Sequence, residues 1–305
     1  MTRRTALLLA AAFPAALRAE DENARWSFLR TNLSVFPGTE KIFESDDELF
    51  WKLKSGLRAV ACAERIAEQE WPFSVSTDEH GRRSTPDAKD AQRTALFLGD
   101  SCTFGIPVDD HESFPAVCQS LMPGLRAVNA GVPGYTAFQG RVLLEQLGPR
   151  LRPDVVVLTF WVNGRTVWDH LSDLEHHELL AAERAGDLSR HRVTRLVRRV
   201  TPGDRPRLSE DEFAAEVRTI IRLAREANAR PVIVVWPAAT GMDGGPPHVR
   251  QQLLLDIARE QNVAAVELTS KFRAAGGRAL FVDPVHATRE GYRIAAETIA
   301  PHLEG

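Results

Sequence analysis

Residues 95–105 read Ala95-Leu-Phe-Leu98-Gly99-Asp100-Ser101-Cys102-Thr103-Phe104-Gly105, and this stretch decides the fold. Four apolar residues without alternation mark a strand buried on both faces. Gly99 lets the chain turn sharply, and the residues after Ser101 are expected to open a helix. That puts Ser101 at the carboxyl edge of a parallel sheet, where open α/β folds place their ligands. The first amides of such a helix stabilise a developing negative charge. Alone, Gly-Asp-Ser is also ordinary capping sequence for a strand, turn and helix.

Further apolar runs follow at Ala127-Val128, Val155–Phe160, Val232–Trp236 and Val263–Val266. Between them lie helical stretches. Ser209 with Glu212 three residues on is a capping box, and Phe213, Val217, Ile220, Ile221 and Ala224 then share one face up to Pro231. Val249–Gln261 and Arg289–Leu303 have similar periodicity. Apolar strands interleaved with helices predict an α/β protein whose parallel sheet is covered on both faces.

Upstream, residues 23–91 carry Trp26, Trp51 and Trp71, turn signals at Pro37-Gly38, Asp78 and Gly81, and a short alternation at Phe73–Ser76. This is expected to be an irregular, partly β extension, with its boundary at the charged run Thr85–Asp90. Further upstream, Arg3-Arg4 precedes an apolar run from Thr5 to Leu17, and Glu20-Asp21-Glu22 follows. This is the layout of an export signal, and a run of about 13 residues is short of the ~20 that span a bilayer. The paired arginines also suit twin-arginine routing, although Ala6 stands where that signal usually has Phe. The expected organisation is an export signal over 1–19, an extension over 20–91 and a catalytic α/β domain over 92–305. The destination is the periplasm or the exterior, by a Sec or twin-arginine route.

Composition narrows the class. The 305 residues are 44% hydrophobic and 26% charged, which excludes collagen, a disordered polyampholyte and a multi-span membrane protein. Three cysteines, Cys62, Cys102 and Cys118, allow at most one bridge. The net charge is −3; without Arg3, Arg4 and Arg18 the body carries 35 basic against 41 acidic groups, or −6, so no nucleic-acid partner is expected.

A second chemical element lies just before the last helical stretch: Asp283-Pro284-Val285-His286. A neutral imidazole takes a proton from a Ser hydroxyl when a carboxylate holds its other nitrogen, and a three-residue loop lets Asp283 do this for His286. Read alone, Asp283 is equally a helix cap and His286 a surface residue. Four blocks in order change the weighing: Gly99-Asp100-Ser101, Asn129-Ala-Gly-Val-Pro-Gly134, Trp161-Val-Asn163-Gly164 and Asp283-Pro-Val-His286. Through them the chain, from about Thr94 to His302, resembles the SGNH hydrolases, or GDSL esterase/lipase family. The resemblance implies a three-layer α/β/α fold with a flavodoxin-like, doubly wound, five-stranded parallel sheet. It implies Ser101 as nucleophile, His286 as general base and then acid, and Asp283 as its orienting carboxylate. The implied oxyanion hole is the amides of Ser101 and Gly134 and the side chain of Asn163, with no metal or organic cofactor.

The third block departs from the family's usual Gly-x-Asn-Asp at Trp161 and Gly164. A Trp for Gly is expected to narrow the acyl pocket or reshape its support, with Phe104, Tyr135 and Trp161 as candidate pocket walls or core. Cys102 reads as a small packing residue. Adjacent His176 and His177 face apart on a helix and read as polar surface rather than metal ligands. The segment 164–207, with eight Arg against two acids from Arg184 to Arg207, reads as a solvated helix with a packed stripe or as a basic lid that touches an anionic surface. The loop Gly241–Pro247 lacks the Lys-Ser/Thr of a phosphate loop, and Gly-x-Ser-x-Gly is absent around Ser101.

The expected activity is hydrolysis of a carboxylic ester through an acyl-enzyme on Ser101, with a small-molecule, carbohydrate or lipid ester as substrate. An O-acetyl group on a carbohydrate is one such ester. Two alternatives stand beside it: an O-acyltransferase using the same serine, and a non-catalytic binding module on the same fold.

Overall fold

The computed structural model describes residues 41–66, 69–167, 171–185 and 205–304. The export leader, the Trp26 region and most of the basic stretch, residues 186–204, lie outside the described residues. The extension forms two antiparallel hairpins. In the first, β1 (Phe43–Asp46) pairs with β2 (Phe50–Leu53), and Asp46 Oδ1 closes the turn by accepting from the amides of Glu48 and Leu49 at 2.9 and 2.8 Å. In the second, β3 (Val60–Ile66) pairs with β4 (Gln69–Val75). The alternation seen at Phe73–Ser76 turns Phe73 and Val75 inward. Both hairpins share one apolar core with the rest of the chain, through Phe43, Phe50, Trp51, Leu53, Phe73 and Val75.

The five later apolar runs become β5 (Arg93–Gly99), β6 (Leu125–Gly131), β7 (Val155–Thr159), β8 (Arg230–Val235) and β9 (Ala264–Glu267). All pair in parallel in the order β6-β5-β7-β8-β9. This is the doubly wound, flavodoxin-like order, which reverses direction beside β5. Ala95, Leu96, Phe97 and Leu98 are wholly buried, each large side chain contributing about 1.5–3 kcal/mol. Gly99 is level with Gly131 on one side and Thr159 on the other, so three strands end along one edge, at the reversal point.

The helices are α1 (Ser101–Phe104), α2 (Phe114–Leu121), α3 (Ala137–Leu151), α4 (Asp173–Arg184), α5 (Glu210–Glu226), α6 (Val249–Gln261), α7 (Thr269–Ala275) and α8 (Arg289–Ile299). Helix α2 packs with α8, and α3 packs with α5, which in turn packs with α6. The Ser209/Glu212 capping box forms in both directions. The helix expected to run to Leu303 gives way at Ile299 to a 3-10 turn over Ala300–Leu303, where Pro301 has no amide to donate. The helix after Ser101 is a single turn, because Gly105 takes a left-handed φ of 98° and its amide closes onto the Ser101 carbonyl.

Candidate active site

Ser101 stands at the first position of α1, directly beyond β5. Two glycines allow that turn to sit against the sheet. A Cβ on Gly99 would lie 1.9 Å from Thr103 Oγ1, and one on Gly131 would lie 2.3 Å from the Phe104 nitrogen. Asp100 caps the turn, its Oδ1 accepting from the Cys102 amide at 2.9 Å. Asn129 fastens it from β6, donating from Nδ2 to the Thr103 carbonyl at 3.0 Å while its Oδ1 accepts from Gly131 N. Arg83, wholly buried, holds the far end: its Nη1 donates to the carbonyls of Phe104 and Gly105 at 2.6 and 2.7 Å. Its guanidinium lies 4.3 Å from the Phe104 ring centre.

The loop between α7 and α8 brings His286 to this serine. His286 Nε2 is 2.7 Å from Ser101 Oγ, and Nδ1 is 2.5 Å from Asp283 Oδ2. Asp283 Oδ1 accepts from the amides of Val285 and His286 at 2.8 and 2.7 Å, so the carboxylate is fixed before it meets the ring. Asp283 does not cap α8; Thr288 does, its side chain accepting from Gly291 N. With the Asp283 carboxylate on Nδ1, the neutral ring carries its proton there and presents Nε2 as acceptor to the serine.

Charge around the imidazole is acidic. Burial alone would lower the His286 pKa, but the bond and charge of Asp283, then the charges of Glu64 and Asp100, hold it above its ordinary value. For Asp283, burial acts upward and is outweighed by the bond and charge of His286 and by the two amides, so its carboxyl stays below the usual range. Asp100 has fewer such partners, and burial pushes it up to about 6.

The second-block loop lies beside the serine. Gly134 has φ 82°, a conformation open to glycine at no steric cost. Its carbonyl accepts from Arg207 Nη1 at 2.6 Å. Asn163, at the start of a 3-10 turn after β7, donates from Nδ2 to the Tyr135 carbonyl at 3.1 Å, which ties the second and third blocks together. The first hairpin braces the same loop: Trp51 Nε1 donates to the Pro133 carbonyl, Tyr135 Oη to the Trp51 carbonyl, and Gln139 Nε2 to the Leu49 carbonyl.

Of the three candidate pocket walls, Phe104 and Tyr135 are core. They are 0% and 1% exposed, Phe104 under the Arg83 guanidinium and Tyr135 hydrogen-bonded to Trp51. Trp161 lines a cavity of about 410 Å³ at the ends of β7, β8 and β9, with His248, Gln251, Glu267, Thr269 and Arg273. Its ring centre is 5.1 Å from that of His248, and its Nε1 is buried without a partner. Gly164 makes room for a guanidinium: a Cβ there would be 2.1 Å from Arg250 Nη1. Arg250 is wholly buried and donates from Nη2 to the Leu208 carbonyl.

The two described arginines at the end of the basic stretch differ. Arg205 is partly exposed and pairs with Glu175 and Glu212. Arg207 is fully buried against fully buried Asp173, Nε to Oδ1 at 2.7 Å. His176 is buried and packs on Phe50, while His177 packs on Phe138; His176 is therefore core rather than polar surface. All three cysteines are free, and Cys102 is buried beside the Val285 carbonyl. Among the described residues no group of His, Cys, Asp and Glu is arranged to hold a metal, and no helix is long and apolar enough to cross a membrane.

Sequence reasoning missed Glu64, Arg83, Asp173 and Arg207. For Glu64 a signal was present, a carboxylate interrupting the inward series Val60, Cys62. Arg207 was hidden in a run of arginines that read as one face.

The family model of the GDSL-like lipase/acylhydrolase family matches residues 97–294. The chain belongs to that family. The match takes in the whole parallel sheet from Phe97 onward and all four blocks, and leaves both hairpins outside. Among solved structures, the chain is similar to a lipolytic protein of the G-D-S-L family from Veillonella parvula DSM 2008, at 17% identity over 68% of this chain and 96% of that one, TM-score 0.48. It is similar to the acetyl xylan esterase AlAXEase at 18% identity over 69% and 100%, TM-score 0.48. It is similar to an acetylxylan esterase from Geobacillus stearothermophilus at 16% identity over 72% and 97%, TM-score 0.47. No curated protein matches the sequence.

Proposed function

We propose that this protein hydrolyses a carboxylic ester through an acyl-enzyme on Ser101. The observation that carries the reading is the unbroken chain of contacts from Ser101 Oγ to His286 Nε2 at 2.7 Å and from His286 Nδ1 to Asp283. In this mechanism Ser101 Oγ attacks the ester carbon as His286 Nε2 takes its proton. Asp283 stabilises the imidazolium that results. The carbonyl oxygen becomes an oxyanion facing the amides of Ser101 and Gly134 and the second Nδ2 hydrogen of Asn163, the first being held by Tyr135. Collapse breaks the bond to the alcohol oxygen, which leaves with the proton from Nε2. Water then repeats the sequence on the acyl-enzyme and returns the serine. Each donor of such an oxyanion hole contributes roughly 3–4 kcal/mol to transition-state stabilisation.

Membership of the GDSL-like lipase/acylhydrolase family supports a small-molecule or carbohydrate ester, including an O-acetylated sugar, as substrate; the cavity beside Trp161 is lined by none of Ser101, Asp283 and His286. The layout of Arg3-Arg4, apolar run and acidic Glu20–Glu22 supports export.

Purified protein beginning near Glu20 is expected to hydrolyse p-nitrophenyl acetate or butyrate, and Ser101→Ala is expected to abolish this. Turnover unchanged in Ser101→Ala would refute the mechanism. Labelling of Ser101 by a fluorophosphonate without hydrolysis of any ester would favour the transferase.

A further inference from the structure

The β3–β4 hairpin lies outside the residues that match the family, yet it reaches the catalytic loop. Its inward-facing series pairs Val60 with Val75, Cys62 with Phe73 and Glu64 with Trp71. Phe73 and Val75 are 5% and 0% exposed, and Glu64 is 4% exposed. The third inward position, where alternation calls for an apolar side chain, thus holds a carboxylate. Its Oε2 is fully buried and has no hydrogen-bond partner. Such a group is costly to bury and is kept only where something compensates.

The hairpin is held rigidly next to the site. Ser74 donates from its amide and hydroxyl to Asp109 Oδ1 at 2.7 and 2.8 Å, and its carbonyl accepts from Arg83. Trp71 and Pro72 line a cavity of about 430 Å³ together with Val108, Val282 and Arg289. Val282 immediately precedes Asp283, and its amide donates to the His286 carbonyl at 2.9 Å. Glu64 therefore belongs to the hairpin that flanks the Asp283–His286 loop.

We propose that Glu64 is a further positioning residue of this site, whose carboxylate, unpartnered at Oε2, acts on His286 and favours the imidazolium formed when Ser101 gives up its proton. The assignment rests on the serine-hydrolase reading above. A carboxylate paired with Arg would have its field cancelled, whereas the field of Glu64 reaches His286. The charges that act on His286 are those of Asp283 on its own loop, Glu64 on β3 and Asp100, the cap of α1; Cys102 on α1 and Tyr292 on α8 interact with Asp283 and Asp100. Burial raises both Cys102 and Tyr292 well above their ordinary values, leaving them neutral. Burial pushes Glu64 up to about 7, against the pull of His286 and with the push of Asp283. Glu64 and His286 then lose their protons over one range of pH, as a pair.

The test is the pH profile of kcat/KM for p-nitrophenyl acetate in the full-length protein and in Glu64→Gln. The isosteric amide removes the charge and keeps the shape. The acid limb is expected to narrow and to move down by about half a pH unit or more, while the alkaline plateau falls severalfold. A merely structural lesion lowers the plateau and leaves the limb where it was, and that result would overturn the proposal. Glu64→Asp, which retains the charge, is expected to keep the wild-type limb, and Glu64→Met, which removes the charge and suits the apolar position, supplies the same readout if Glu64→Gln fails to fold. The titration of His286 is also read without turnover, from the low-field proton signal of its Asp283-bound Nδ1–H in Ser101→Ala protein. Loss of all esterase activity in the wild type would overturn the hydrolase reading, whereas an unmoved His286 titration on removing the Glu64 charge would overturn this one.

Discussion

Replacing Arg207 by Met is expected to destabilise the protein by about 3–5 kcal/mol, the cost of breaking a buried ion pair from one side. The structure sets this figure near the top of the range for single substitutions. Arg207 and Asp173 both have fully buried side chains, and the guanidinium gives Nε and Nη2 to the two oxygens of Asp173 at 2.7 and 2.9 Å. It also gives Nη2 to Gln139 Oε1 at 2.7 Å and Nη1 to the Gly134 carbonyl at 2.6 Å. Met fills most of the volume and supplies none of these donors, so Asp173 is left charged in the interior with Thr136 Oγ1 at 2.6 Å. Against a total stability of roughly 5–15 kcal/mol, the variant folds marginally. Urea denaturation at 25 °C reads the change as a lower midpoint at constant slope. The double variant Arg207→Met with Asp173→Leu is expected to recover about 2 kcal/mol or more, because no buried charge then lacks its partner. A cost below about 1 kcal/mol for Arg207→Met, or a double variant no more stable than the single one, would refute the reasoning. A Lys at 207 is expected to recover little, since one ammonium does not span four acceptors in a plane.

Gly99→Ala puts a methyl group 1.9 Å from Thr103 Oγ1 and 3.0 Å from the Thr159 carbonyl; it is expected to cost about 1–3 kcal/mol and, by displacing Ser101, about a hundredfold in kcat/KM, measured by melting and ester turnover. The ester activity is expected to rise with pH as His286 loses its proton at a value above its ordinary 6.5. For stability the signs differ: the contribution of His286 is complete below about 6.5 and is lost as pH climbs through the raised value, while that of Asp283, whose pKa lies below 3.8, is lost only in acid. Denaturation midpoints of wild type and His286→Asn between pH 3 and 9 check both, and a His286 contribution that grows with pH would contradict the assignment.

The sheet was legible because each of its strands is an uninterrupted apolar run and the helices between them keep a 3.6-residue period with explicit caps, as at Ser209. The serine, histidine and aspartate were legible because they sit at strand ends and in a four-residue loop, where local chemistry dictates geometry. Phe104 and Tyr135 were not separable from pocket walls, since an aromatic beside a catalytic loop has the same local sequence in either role. What buries them is remote: Arg83 over one ring and Trp51 against the other. Arg207 was misread for a related reason. In a run rich in arginine nothing local marks the one whose partner, Asp173, lies 34 residues earlier.

The serine turn and the loop of Gly134 are held from outside the α/β layers, and this accounts for the hairpins. The first hairpin gives Trp51 and Leu49 to the loop of Gly134 and Tyr135. The second is bonded through Ser74 and Ser76 to Asp109 and Asp110, just after the serine turn. Arg83 joins that hairpin to the carbonyls of Phe104, Gly105 and Val108. A loop at a sheet edge has few neighbours of its own, and misplacement by an ångström costs a catalytic site orders of magnitude. Fixing two such loops requires donors that reach backbone carbonyls, which is why arginine and tryptophan, with rigid N–H groups on large side chains, occupy these positions. On this argument the extension completes the site: it supplies part of the constraint that keeps Ser101 and Gly134 in register.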